Sequence, residues 1–205
     1  MLFLNHVTRN NSTCQNNEGG QQTVLRNSST SYGLVAILMH WTMALVIFAM
    51  FALGLWMVEL NYYDNWYHDA PYIHKAIGML LLFLLIFRFG WRLTNTRPQL
   101  MGEAWEKFIA LLVHRSHYLL LFAITITGYL IPTAEGVGID LFGWFTVPAS
   151  FSFTKEQADL IGLIHLYVAW AVIGLAAAHA GAALKHHFID RDNTLLRMLG
   201  INKKN

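Results

Sequence analysis

The chain has 205 residues, 55% of them hydrophobic and 13% charged, with a formal net charge of +2. The apolar share is above the usual globular range and is concentrated in blocks, which excludes an ordinary water-soluble domain. The single cysteine, Cys14, excludes an internal disulfide, and no CxxC or CxxCH motif is present.

Residues 1–31 are rich in Asn, Ser, Gln and Gly after a short apolar start, MLFL. They lack the apolar core and small-residue cleavage site of a secretory signal, and read as a disordered polar tail. Leu34 to Val58 then runs for 25 residues without a charge, enough for one crossing of a bilayer core, which takes about 20 helical residues. Ala76 to Phe87 is a second apolar run, lengthened by Ile73 and His74 before it and by Phe89 to Trp91 after it. Tyr118 to Ile131, with Phe108 to Val113 ahead of it, is a third, and Leu160 to Leu184 is a fourth. In lipid every backbone polar group must be satisfied within its own segment, so each run is expected as a helix. The predicted helices cover 34–58, 73–91, 108–131 and 160–185, within one domain over 32–199, and 200–205 form a basic tail. The fold class is all-α, a transmembrane four-helix bundle of up-down-up-down topology.

Charge sets the orientation. Arg9 and Arg26 precede the first helix. Arg88, Arg92, Arg97, Lys107 and Arg115 surround the second connection, and Lys185, Arg191, Arg197, Lys203 and Lys204 follow the fourth helix. Only Lys75 and Lys155 fall on the other side, among Glu59, Asp64, Asp69, Glu135, Asp140, Glu156 and Asp159. The positive-inside rule therefore predicts both termini in the cytoplasm. The same topology accounts for the basic residues, so nucleic acid is not an expected partner and membrane lipid is.

Ten histidines occur, several at membrane depth. Ionisable groups there are costly and usually face the bundle interior with a role to perform, the plain alternative being a polar contact between helices. His40 lies six residues into the first helix and His179 six residues before Lys185, so both sit roughly 9 Å from the cytoplasmic side. His74 and His165 fall near the outer ends of the second and fourth helices. His165 and His179 are fourteen residues apart, four turns, so both imidazoles lie on one seam of the fourth helix roughly 21 Å apart. Two depth-matched pairs, His40 with His179 and His74 with His165, suit bis-histidine ligation of two b haems between facing helices. Zinc would draw three or four ligands to one point, which two separated pairs suit poorly. Carboxylates, common in cation transport, are missing from the spans.

Small residues share these faces: Gly54 is fourteen after His40, Gly78 one turn beyond His74, and Ala169 and Ala183 four after the histidines of the fourth helix. Close helix packing explains such positions as well as a macrocycle does. Arg88, fourteen after His74, could meet haem propionates or a quinone head group, or could simply snorkel. His114 and His117 flank Arg115 at the inner start of the third helix, where they could help bind propionates or quinone, or supply interfacial polarity. His186, beside His187, is interfacial but within reach of a cofactor edge. Trp41 reads as packing, and the aromatics around His68 as interface anchors. The segment from Pro132 to Gln157 carries Gly136, Gly138, Gly143, Pro148 and five aromatics, and could cap the outer site or lie on the membrane.

These motifs resemble the prokaryotic cytochrome b561 family. The resemblance is carried by MHWTMAL, IHKAIGMLLLFLLIFRFGWR, HRSHYLLLFAITITGYL, IHLYVAW and AAAHAGAALKHHFIDRDNTLLRML, across about residues 32–199, with KHHFIDRDNTLLRM the most specific. It implies a four-helix protein of the bacterial inner membrane with two b haems. His40 and His179 would hold the cytoplasmic-side haem, and His74 and His165 the periplasmic-side haem. Some members move electrons between the periplasmic side and a membrane quinone such as ubiquinone, and at least one oxidises superoxide. The polar N-terminal tail and the long aromatic outer loop depart from the short forms of the family and leave the periplasmic redox partner open. The reading is a dihaem electron-transfer cytochrome of the respiratory chain. Superoxide:ubiquinone oxidoreductase, a metal transporter, and the cytochrome b subunit of a larger dehydrogenase are its rivals.

Overall fold

The computed structural model of the protein describes residues 25–134 and 136–201. Most of the polar tail, the end of the basic tail, Cys14 and Glu135 thus lie outside the described residues.

Four long helices dominate: α1 (Leu34–Met57), α2 (Asp69–Thr94), α3 (Ala104–Thr133) and α4 (Lys155–Phe188). Each is long and apolar enough to cross a membrane. Even α1, at 24 residues, reaches about 36 Å, against a hydrocarbon core of about 30 Å. Each helix packs on the next in the chain, and α1 touches α4 only sparingly. The result is a four-helix bundle with antiparallel neighbours. Its arginine-rich end holds the start of α1, the α2–α3 connection and the end of α4. Its acidic end holds the other connections.

α2, α3 and α4 outrun their apolar blocks because polar groups beyond the apolar runs set their ends. α2 starts at Asp69, before Pro71, since proline in a first turn forfeits no intrahelical hydrogen bond. α4 begins at Lys155, where the Thr154 hydroxyl accepts from Gln157 N and the Gln157 side chain accepts from Thr154 N. Glu103 and Glu106 close α3 in the same reciprocal way.

At the arginine-rich end, residues 25–33 fold back rather than trailing as tail. Asn27 donates to Thr96 O, and Gln99 N donates to Ser29 O. A fifth helix, α5 (Thr194–Met198), is tied to α1 by the Trp41 indole, which donates to Met198 O at 2.8 Å. Trp41 therefore ties α5 to α1. At the acidic end, the segment after α3 forms a small antiparallel hairpin, β1 (Ile139–Asp140) with β2 (Thr146–Val147). Ile139 and Leu141 are buried against Met79, with Tyr129 and Leu82 beside them. Tyr72 donates to Asp140 Oδ2 at 2.8 Å, and Gly143 N donates to the same oxygen at 2.9 Å. The hairpin thus caps the bundle, while its turn stays exposed, Trp144 most of all at 84%.

Buried side chains form a layer halfway along the bundle. Met43, Leu81, Leu85, Leu121 and Val172 make its centre. This layer separates two polar levels.

Candidate haem-binding levels

At the arginine-rich level, His40 of α1 faces His179 of α4, with ring centroids 6.3 Å apart. At the acidic level, His74 of α2 faces His165 of α4 at 6.2 Å. The seam of α4 therefore brings its two imidazoles to two different partners, and depth matching in the sequence identified both. Two metal–imidazole bonds of about 2 Å each, in line, set ring centres roughly 6 Å apart. Both pairs meet that spacing.

The acidic level is tightly built. A Cβ on Gly54 would lie 3.1 Å from His74 Cε1, and one on Gly128 would lie 3.0 Å from His165 Cε1. Only glycine lets these backbones approach so closely without displacing a ring. Gly78, in contrast, meets only the Met50 side chain, so of the two candidate glycines Gly54 is the one against a histidine. Thr127 completes the setting of His165. Its hydroxyl donates to Ala123 O at 2.8 Å, with Ile124 O at 3.0 Å, and its oxygen lies 3.1 Å from His165 Nδ1. With the hydroxyl proton committed to a carbonyl, the oxygen accepts from His165 Nδ1–H. That tautomer leaves Nε2 free to ligate. His74 Nδ1 is buried without a partner.

The arginine-rich level is more crowded. The rings of His114 and His117 lie 5.5 and 5.3 Å from that of His179. Both are shorter than the spacing of two rings in line across a metal, whereas His40 meets it. His117 Nδ1 donates to Val113 O at 2.9 Å, which fixes its tautomer. Arg88 turns into the bundle, with one terminal nitrogen 3.3 Å from His40 Nδ1 and the other donating to the Met43 sulfur at 3.4 Å. The structure thus gathers Arg88, His114 and His117 around the His40–His179 pair. His186 goes elsewhere: its Nδ1 lies 3.0 Å from carboxylates of both Asp190 and Asp192. Next to it, Lys185 bridges Glu106 at 2.7 Å and Asp190 at 2.9 Å. His68 stands at the N-cap of α2 among Tyr62 and Tyr67.

The donor chemistry suits a flat, two-faced metal complex rather than a bare ion. Among the described residues, the one group of three potential ligands with converging donor atoms is Glu106, His186 and Asp190, outside both levels. At the levels themselves the facing imidazoles converge in pairs. A flat metal complex with an open position on each face would occupy the ring nitrogens of such a pair.

Thr127 and Gly128 were not singled out from the sequence, although a signal was present. Gly128 stands fourteen residues after His114, the interval that also relates His40 to Gly54, His74 to Arg88 and His165 to His179. All four helices repeat a candidate position after four turns.

Comparison with known proteins agrees with these motifs. The family described as prokaryotic cytochrome b561 matches residues 31–200. "Cytochrome b561 homolog 2" of Escherichia coli K12 is 48% identical over 176 residues, 85% of this chain and 94% of that protein. "Cytochrome b561 homolog 1" of the same organism is 32% identical, over 62% of this chain and 72% of its own length. "Probable superoxide oxidase CybB" of Yersinia pestis is 33% identical over 82% of this chain and 95% of its own. With its four membrane-length helices and histidines at two levels, the chain belongs to the prokaryotic cytochrome b561 family of b-haem membrane electron-transfer proteins.

Proposed function

We propose that the protein is a dihaem cytochrome of the inner membrane, carrying electrons between a redox partner on the periplasmic side and the quinone pool. The observation that carries this reading is two pairs of facing imidazoles, with centroids 6.3 and 6.2 Å apart, at opposite ends of one bundle. His40 and His179 would hold one haem and His74 and His165 the other. When bound, each haem supplies a one-electron carrier with both axial positions filled, which suits outer-sphere transfer. The chain's own part is to fix the ligands and exclude water. Thr127 sets the His165 tautomer, Gly54 and Gly128 admit the rings, and the layer around Met43 and Leu85 keeps the centre dry. Arg88 places a guanidinium, and His114 and His117 place imidazoles, beside the His40 level, a setting suited to propionates or a quinone head group. By the positive-inside rule the arginine-rich end faces the cytoplasm.

The test is a reduced-minus-oxidised spectrum with haem quantification on the wild type and on His179→Ala. Two haems per chain are expected, with one lost or rendered high-spin in the variant. One haem in the wild type, or two low-spin haems in the variant, rejects the assignment.

A second reading, superoxide oxidation with quinone as the electron acceptor, is favoured by the likeness to the Yersinia pestis protein named a probable superoxide oxidase. Two superoxide ions would each surrender one electron as dioxygen leaves, and quinone would take both electrons with two protons. The acidic end, with Glu59, Asp64, Asp69 and Asp140, offers little attraction for an anion. Superoxide generated in a pulse should reduce the haems at a rate far above that of a buffer control if this reading holds, and at the control rate if it does not.

A further inference from the structure

Where α2 ends and α3 begins, a cavity of about 130 Å³ opens beside the His40–His179 level. Arg88, Trp91, Arg92, Arg97, His114 and Tyr118 line it, and among the described residues no carboxylate does. Arg88 and Arg92 stand four residues apart on one helical face, and both guanidinium groups sit over the Tyr118 ring, at 5.9 and 5.2 Å. Like charges at that spacing repel, and partly buried charges without a counter-ion are costly. No described carboxylate lies within ion-pair distance of either arginine. The Trp91 indole N–H is buried there without an acceptor. Nearby, Arg197 lies over Tyr32, another residue of the cavity wall, with its Nε and Nη2 unpartnered.

Snorkelling does not explain this arrangement. A snorkelling arginine sends its head group to water, whereas Arg88 turns inward onto His40 and Met43. Trp91 carries no charge that topology would require. Arg88, Arg92 and Arg97 bring cations to the cavity, the Trp91 indole adds a donor without an acceptor, and two of the guanidinium groups sit side by side over Tyr118. The complement is an acceptor with several lone pairs and negative charge.

We propose that this cavity seats an oxyanion, a carboxylate or phosphate group carried by a molecule lying in the membrane. Two sources fit that chemistry: a propionate of a haem held by His40 and His179, which rests on the function proposed above, and the head group of an anionic phospholipid, which does not.

The full chain is placed in nanodiscs of phosphatidylcholine with and without phosphatidylglycerol, as wild type, Arg92→Gln and Trp91→Phe. The midpoint potential of each haem and the retained phosphatidylglycerol are measured. A haem carboxylate predicts that both variants lower the potential of the His40–His179 haem alone, in either lipid. A lipid phosphate predicts that the wild type enriches phosphatidylglycerol and that each variant loses that enrichment by about tenfold, the effect of one charge-assisted contact. Variants that match the wild type in both readouts overturn the proposal. Trp91→Phe changes no charge, so it decides the matter even where Arg92→Gln folds poorly. If the protein carries no haem, the functional reading fails, and phosphatidylglycerol retention alone decides whether the anion site exists.

Discussion

At the scale of single residues, ligation depends on which ring nitrogen is left free. Thr127 does this for His165 through a hydroxyl whose own proton goes to Ala123 O. Thr127→Val keeps the shape and removes the acceptor, stranding Nδ1–H in an apolar bundle. Haem affinity at the acidic level should fall roughly tenfold or more, as on loss of other outer-shell partners. The potential of that haem should rise as its imidazole donates less, and Thr127→Ser should restore both values. Redox titration of the three proteins checks this, and an unchanged potential in Thr127→Val would remove Thr127 from the site. At the other level four imidazoles compete. Spacing favours His40, at 6.3 Å from His179, over His114 and His117, at 5.5 and 5.3 Å. His40→Ala should therefore lose a haem, whereas His114→Ala and His117→Ala should keep both haems low-spin by absorbance and electron paramagnetic resonance.

At the scale of elements, helix ends and the hairpin are decided outside the apolar spans. α4 starts on the Thr154–Gln157 capping box, so Thr154→Ala should cost about 1 kcal/mol, read as earlier thermal unfolding in detergent. The hairpin rests on Tyr72 and Asp140. Tyr72→Phe removes a hydrogen bond worth about 1 kcal/mol, so amide exchange across residues 139–147 should quicken while the α4 core stays protected. These features mark the limit of what the sequence discloses. Uncharged runs reveal spans because lipid admits little else, and charge asymmetry supplies an expected orientation. Caps reveal less, because Thr154 and Glu103 act through side chains a few residues beyond the hydrophobic signal. The hairpin was legible only as a Gly- and aromatic-rich loop, since its seat on Met79 and Tyr129 depends on contacts distant in the chain. The histidine pairs were readable from depth alone. Thr127 was not, because an intramembrane threonine usually bonds only to its own helix, and the chain does not announce that His165 lies opposite.

At the scale of the molecule, one apolar layer divides the two histidine levels, which share a helix. His165 and His179 are separated by roughly 21 Å along α4, and Met43, Leu85, Leu121 and Val172 fill the space between the levels. Close-packed apolar side chains carry no charge and offer no alternative ligands, so removing a ligand at one level should not be felt as a rearrangement at the other. Effects at such distances ordinarily add. His74→Ala should therefore remove the haem at the acidic level and leave the other at its wild-type potential, while His179→Ala should do the reverse. The double variant should carry neither and should still insert, because the spans are fixed by their own apolar length. Haem content and the split of the reduced α-band, followed across all four proteins, measure the coupling directly. Were either single substitution to strip both haems, the two levels would form one cooperative site, and the layer between them would be a transmitter of strain rather than an insulator.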